Sequence, residues 1–216
     1  MVSIRMVLNV TEYHADVYYN SHTGERAHAA FPDGVIDDVN YDGSIRAFLF
    51  LLNNDCCTSI DKSRVFLSDL TGGKLNISKG MISRLNREFA LKTEPERRSA
   101  YADMLLSPVM HTDCTNAREN GKSCQVYVCA TPDGKALYFA RENMHNHLLF
   151  LHDIRVPATN NEAERLLRNY KRKQAQAVTF RSFESIDYLC QCMSMLVLMR
   201  LEDPANIYDR VSRIFG

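Results

Sequence analysis

Two turn signals in the second half of the chain constrain its fold most. Asn120-Gly121 is the dipeptide most typical of a two-residue hairpin, and Pro132-Asp133-Gly134 marks another tight turn. The stretches beside these turns are apolar and β-branched enough to predict strands over 109–113, 125–130 and 136–140. The sequence therefore predicts a three-stranded antiparallel meander.

Turn residues and short apolar stretches dominate residues 1–43, which we interpret as an entry segment. Within it, Val17–Tyr19 is expected to pair as a strand with residues 26–31. From residue 44 the apolar spacing becomes helical. Ser44, Ser59 and Ser78 are the expected N-caps of three helices, and Pro95 is expected to break the third near Thr93.

Three further helices are predicted after the meander. The first begins at Thr159 or Asn160 and ends near Lys173, and a short closing helix covers 205–215. Between them a long helix runs from Ser182 to Asp203, with its expected buried face formed by Ile186, Leu189, Met193, Leu196, Val197 and Leu201. The predicted class is α+β, with a helical region at 44–106 before the sheet.

Composition limits the function classes without selecting one. The 216 residues are 45% hydrophobic, enough for a packed core, and the 26 basic and 26 acidic residues cancel. Seven cysteines without zinc-knuckle spacing are typical of reduced thiols in a cytoplasmic protein. Because no signal peptide or membrane span is visible in the sequence, we expect a soluble protein with no membrane partner.

Charge is concentrated locally in the first helix after the meander. Six bases and no acid occur between residues 165 and 183, namely Arg165, Arg168, Lys171, Arg172, Lys173 and Arg181. A solvated helix face is the simple interpretation of this block, and contact with DNA phosphates is the alternative. Residues 78–98 are also rich in bases and follow a helix-turn-helix outline, so the same two interpretations apply to them.

Two carboxylates are candidates for chemistry. Asp113 is predicted at the end of the first strand of the meander, where an Asp is often only a turn or cap residue. Glu164 lies in the first turns of the following helix, where the helix dipole favours an acid and where a pair with Arg168 is the simple interpretation. His145, His147 and His152 have no supporting cysteines, so we interpret them as incidental rather than as metal ligands.

Two motifs resemble those of insertion sequence 66 transposases, which are enzymes of the DDE type. Residues 110–115, Met-His-Thr-Asp-Cys-Thr, followed by Asn-Gly-Lys at 120–122, resemble the first catalytic strand of that family. Residues 156–157 and 160–168, Val-Pro and Asn-Asn-Glu-Ala-Glu-Arg-Leu-Leu-Arg, resemble its final carboxylate helix. The basic residues 171–173 and the stretch 179–182 fit the same pattern, and the resemblance extends over most of the chain.

The resemblance implies a ribonuclease-H-like core over 107–216 in which Asp113 is the first acid and Glu164 the third. In the family three acids bind two divalent ions, Mg²⁺ or Mn²⁺, for cleavage and transfer of DNA strands. The chain departs from the pattern between Arg141 and Val156, where the family has a longer segment that carries the second Asp. Asp153 is a weak substitute for that acid because it resembles the residues that lead into the last helix.

We therefore expect a shortened transposase-family protein that binds DNA and does not catalyse transposition. Its expected partners are DNA at transposon ends and a full-length transposase or a second copy of the chain. One alternative is a non-catalytic DNA-binding or partner-binding remnant that modulates a full-length transposase. Another is a decayed gene product without a role.

Overall fold

Strands and helices form separate runs along the chain, in the order that the sequence predicts. The computed structural model describes residues 2, 7–35, 39–141, 161–177 and 180–216. The elements in this described part are β1 (Val17–Tyr19), β2 (Arg26–His28), α1 (Gly43–Asn54), α2 (Ile60–Leu70), α3 (Lys79–Lys92), α4 (Glu94–Leu105), β3 (His111–Glu119), β4 (Lys122–Ala130), β5 (Ala136–Arg141), α5 (Asn161–Ala177), α6 (Phe183–Glu202) and α7 (Ile207–Phe215). The fold is mixed α+β.

The predicted meander is confirmed. Strands β3, β4 and β5 form one antiparallel sheet in that order. Asn120 and Gly121 both have positive φ, 45° and 85°, as a type I′ hairpin turn requires. Gly134 has a φ of 90° and its N–H donates to the carbonyl of Thr131 at 2.9 Å, which closes the second turn.

The first two strands are longer than predicted. Because a two-residue turn leaves no residues outside the ladder, β3 continues to Glu119, which pairs directly with Lys122. The prediction that Asp113 ends its strand is therefore wrong. Asp113 is the third residue of β3 and faces Val128 on β4.

Hydrogen bonds at the helix starts confirm two of the three predicted caps. The hydroxyls of Ser59 and Ser78 accept the N–H groups three residues on. The cap predicted at Ser44 is wrong, because the carboxylate of Asp42 accepts the N–H groups of Ser44 and Ile45. This earlier start makes Gly43 the first helical residue, at a point where a Cβ atom would lie 2.1 Å from the carbonyl oxygen of Ser212 on α7.

Helix α6 is buried on two sides, so the predicted buried face is confirmed at Ile186, Leu189, Met193 and Leu196 and is wrong at Leu201. Leu201 is 47% exposed, whereas Cys190, Cys192 and Met195 are buried together with the predicted positions Ile186 and Leu189. One side of α6 packs with α5 and the inner face of the sheet, and the other side packs with α1, α3 and α7. The helical core therefore also includes α7 and one side of α6 from the C-terminal part of the chain.

Both edges of the sheet have partners. The hydroxyl of Ser194 on α6 accepts the N–H of Tyr138 on β5 at 2.8 Å and donates to the carbonyl of Cys190. At the opposite edge, the backbone of Phe180 bonds to Arg118 and Asn120 at the end of β3. These bonds fix the link between α5 and α6 against the β3–β4 hairpin.

Strands β1 and β2 form the predicted N-terminal hairpin, with Val17 paired to His28 and Tyr19 to Arg26. Every residue of both strands is exposed. Of residues 7–35, only Leu8, Ala15 and Val35 are half-buried, and none is buried. We call this segment the acidic arm, since its charged residues are the acids Glu12, Asp16, Glu25 and Asp33 and the base Arg26.

The described helices include none that is both long and apolar enough to cross a membrane.

Two buried tyrosines in the sheet core give a matched test of this packing. The Tyr138 hydroxyl donates to the carbonyl of Leu166 at 2.9 Å, whereas the Tyr170 hydroxyl has no hydrogen-bond partner in the described part of the chain. We expect Tyr138→Phe to lower the free energy of unfolding by about 1 kcal/mol and Tyr170→Phe to raise it by about 1 kcal/mol. Urea denaturation of the two variants measures the difference. Equal destabilisation by both substitutions would contradict the conclusion that only the Tyr138 hydroxyl is hydrogen-bonded.

Candidate nucleic-acid interface

Helix α5 is amphipathic, and its burial pattern determines which bases reach solvent. Its buried side chains, Ala163, Leu166, Leu167 and Tyr170, recur at helical spacing and pack on the sheet. The opposite side carries Arg165, Arg168, Lys171 and Arg172, all of which are exposed. We call these four residues the basic face of α5.

Few acids neutralise the basic face. Glu162 pairs with Arg165 through both carboxylate oxygens, in place of the predicted pair between Glu164 and Arg168. Among the described residues no acid forms an ion pair with Arg168, Lys171 or Arg172. Arg165 and Arg172 lie seven residues apart, a rise of about 10 Å along the helix axis. The basic face is therefore an extended positive surface rather than a point charge.

Lys173 differs from the other members of the predicted block. Its side chain is half-buried, and its ammonium donates to the carbonyl of Asn53 at the C-terminal end of α1. Burial lowers the pKa of Lys173 to about 8, although the nearby thiols of Cys57 and Cys192 act in the opposite direction. Lys173 therefore joins α5 to α1, which differs from the solvent-facing position that the charge block predicted.

Arg181 lies beside the tip of the β3–β4 hairpin, where its backbone carbonyl accepts the side-chain N–H of Asn120 at 2.6 Å. Its side chain is exposed, and so is that of Lys122 on the same hairpin. Lys122 faces Glu119 across the turn. Sequence reasoning did not connect Lys122 with the basic block, because the two are far apart in the chain and only the fold brings the hairpin tip to Arg181.

Three of the six bases in residues 78–98 pair with acids, whereas Arg84, Arg87 and Arg97 form no ion pair among the described residues. Lys79 contacts Asp61 at 2.6 Å, and Lys92 contacts Glu88 at 3.2 Å. The link between α2 and α3 spans residues 71–78, which is longer than the three- to four-residue turn of a helix-turn-helix. Of the two interpretations of residues 78–98, the length of this link favours an ordinary solvated helix surface.

The two candidate carboxylates lie on the same side of the sheet. Asp113 faces Val128, which faces Tyr138, and both apolar neighbours are buried in the cluster that contains α5. Since directly opposed residues of a sheet share a face, Asp113 is on the face that α5 covers. Asp113 is half-buried, and its carboxylate accepts the N–H of Cys114 at 2.8 Å.

Helix α5 runs along β3, so Glu164 is near the strand that carries Asp113. Burial and the charge of Asp113 raise the pKa of the Cys114 thiol. The positive charge of Lys171 on α5 acts in the opposite direction and more weakly. Hydrogen bonding to Arg165 is the main cause that lowers the pKa of Glu162, and the charge of His111 on β3 also contributes. Glu164 follows Glu162 by two residues and is exposed.

A complete metal site is absent from the described residues. No three His, Cys, Asp or Glu side chains in this part of the chain are arranged to hold an ion. Asp113 and Glu164 therefore supply at most two of the three carboxylates that two-metal chemistry requires. Asp153 and the three histidines from His145 to His152 lie outside the described residues.

No protein-family model, curated protein or solved structure matches the chain closely enough to assign it to a family.

The depressed pKa of Lys173 predicts how stability depends on pH. Between pH 8 and the ordinary lysine value of 10.5 the unfolded chain retains a proton at residue 173 that the folded chain has lost. The contribution of Lys173 to the free energy of unfolding should therefore rise through this window, by no more than about 3 kcal/mol.

Lys173→Met provides the control, because it retains most of the side-chain volume without the titrating amine. Buried thiols and tyrosines titrate in the same range, so the informative quantity is the difference in unfolding free energy between wild type and variant. That difference should move in favour of wild type as the pH increases from 8 to 10.5. A constant difference would show that the Lys173 ammonium is fully hydrated.

Proposed function

We propose that this protein binds DNA through the basic face of α5 and that it is a shortened relative of insertion sequence 66 transposases that no longer catalyses strand transfer. The observation that carries the DNA-binding proposal is the set Arg168, Lys171 and Arg172, exposed and without ion pairs among the described residues. Three neighbouring cations repel one another, and a polyanion relieves that repulsion. Double-stranded DNA presents phosphates every 3.4 Å along each strand, dense enough to engage a 10 Å row of bases.

The proposed ancestry is supported by the two sequence motifs and by the positions of the two elements, β3 and α5, that carry them. Asp113 on β3 and Glu164 on α5 belong to neighbouring elements on one side of the meander. This arrangement is compatible with a reduced ribonuclease-H-like core in which those residues descend from the first and third acids. Mg²⁺ or Mn²⁺ would be the ion for such a core, but the described residues do not fit a two-metal centre.

The remnant role is a second candidate. A protein that keeps the DNA-binding surface but not the catalytic acids would compete with a full-length transposase for the same DNA. The exposed basic face favours this role over a decayed product without one, because neighbouring unpaired cations repel one another and an anionic partner relieves that repulsion.

Duplex DNA binding should be strongly salt-dependent. With four phosphate contacts, the logarithm of the binding constant should fall with the logarithm of salt concentration at a slope of about −3 to −4. Arg168→Gln should reduce the magnitude of that slope by about 0.9. Fluorescence anisotropy with a labelled duplex between 50 and 200 mM salt, roughly the range over which such contacts are lost, measures both slopes.

Arg213→Gln is the matched control for this titration, since Arg213 is an exposed arginine on α7, away from α5. It should leave both affinity and slope unchanged. Lys173→Gln should also leave the slope unchanged, because that amine is directed to Asn53. Failure of the wild-type protein to retain duplex DNA at low salt would reject the proposed function.

Catalysis should be absent. When supercoiled plasmid or transposon-end DNA is incubated with Mg²⁺ or Mn²⁺, we expect no nicked product above the level of the Asp113→Asn variant. The reason is that the described residues supply no third ligand, since a loosely held pair of acids does not position two ions about 4 Å apart. Nicking that depends on Asp113 would show that another acid of the chain completes the site.

A further inference from the structure

The acidic arm is a second exposed surface whose chemistry requires explanation. Tyr13, Val17, Tyr18 and Tyr19 are between 49% and 69% exposed. A two-stranded hairpin is at best marginally stable in water unless a third element covers it. The β1–β2 sheet has only these two strands. The hairpin therefore presents aromatic side chains and unpaired strand edges without a covering element among the described residues.

Charge indicates what covers the arm. Residues 7–35 contain four acids and one arginine, a formal charge of −3, and the four residues of the basic face of α5 carry +4. These two surfaces are opposite in sign within a protein whose net charge is zero. Arginine side chains also stack on tyrosine rings, so the arm offers both an electrostatic and an aromatic partner for Arg168 and Arg172.

We infer that the acidic arm of one copy of the chain docks on the basic face of α5 of a second copy, and that two copies exchange arms reciprocally. Within one chain the arm remains exposed at every strand residue although the basic face is present. A second copy doubles the contact, because each chain contributes one arm and one basic face. Such two-fold, self-complementary interfaces are the commonest form of protein dimer.

The regulatory consequence rests on the proposed function. The arm and DNA phosphates bind the same four bases, so arm exchange and DNA binding exclude each other. The exchanged dimer is thus a self-inhibited form, and DNA releases the arm. The dimer itself depends only on the two surfaces, so its existence is tested separately from DNA binding.

Charge-reversed variants of the full chain test the inference by sedimentation at low salt. The arm variant carries Asp16→Lys and Glu25→Lys, and the helix variant carries Arg168→Asp, Lys171→Asp and Arg172→Asp. Asp69→Lys with Asp209→Lys is the control, because both control residues are exposed acids that form no ion pair among the described residues.

Wild type and control should sediment at twice the 24.7 kDa chain mass, and each reversed variant should sediment at the single mass. Mixing the two reversed variants should restore the double mass. The basic arm of one variant then meets the acidic α5 face of the other, and the acidic arm of the second meets the basic α5 face of the first. This rescue also shows that both variants are folded. Dimers of wild type should dissociate as salt shortens the Debye length from about 10 Å to about 3 Å.

Three results would overturn the inference: a monomeric wild type at low salt, a dimer that neither variant weakens, and reversed variants that stay monomeric when mixed. An arm that docks within its own chain gives a monomer whose arm variant binds DNA more tightly than the control variant, which carries the same added charge. A salt-sensitive dimer that fails to bind duplex DNA would retain the arm exchange and reject the proposed function instead. If both hold, the arm variant should bind DNA at least several-fold more tightly than the control variant.

Discussion

The double burial of α6 is the constraint on which the rest of the fold depends. A helix that is apolar on two sides has to be covered twice, so the sheet with α5 assembles on one side and the α1–α3–α7 group on the other. Its buried hydroxyl, Ser194, costs little because it both accepts and donates a hydrogen bond. The same bond closes the β5 edge, so one residue fixes the sheet to the helix that joins the two cores.

The position of α5 follows from that arrangement. Once Leu166, Leu167 and Tyr170 pack on the sheet beside α6, the opposite side of α5 has to face solvent. Arg168 and Arg172 are therefore exposed by geometry. Lys173 follows Arg172 directly, but the rotation of one residue around the helix points its side chain toward α1. There its ammonium is buried and donates to the Asn53 carbonyl instead of to water. The five bases of α5 thus acquire two different roles from the helical period alone.

The sequence predicted those features that depend on local chemistry. Asn120-Gly121 determines its turn through positive φ, and Ser59 and Ser78 cap their helices through bonds to residues three positions away. Features that depend on distant parts of the chain were not predictable. The second buried side of α6 depends on which elements pack there. The Asp42 cap is a local feature, since its carboxylate accepts N–H groups two and three residues on, and the choice of Ser44 missed it. The expectation that Asp113 and Glu164 lie near one another rested on the motif resemblance. Spacing in the sequence alone does not predict that α5 lies beside β3.

Net charge is a poor guide to the electrostatics of this protein, because its opposite charges are separated in space. The helical region neutralises several of its bases in short-range pairs such as Lys79–Asp61 and Lys92–Glu88. In the acidic arm acids outnumber bases by four to one, and three of the four bases of the basic face of α5 have no ion pair among the described residues. Unpaired exposed charges interact over roughly a Debye length, whereas paired charges largely cancel at that distance. Attraction at long range in this neutral chain is therefore concentrated at those two surfaces.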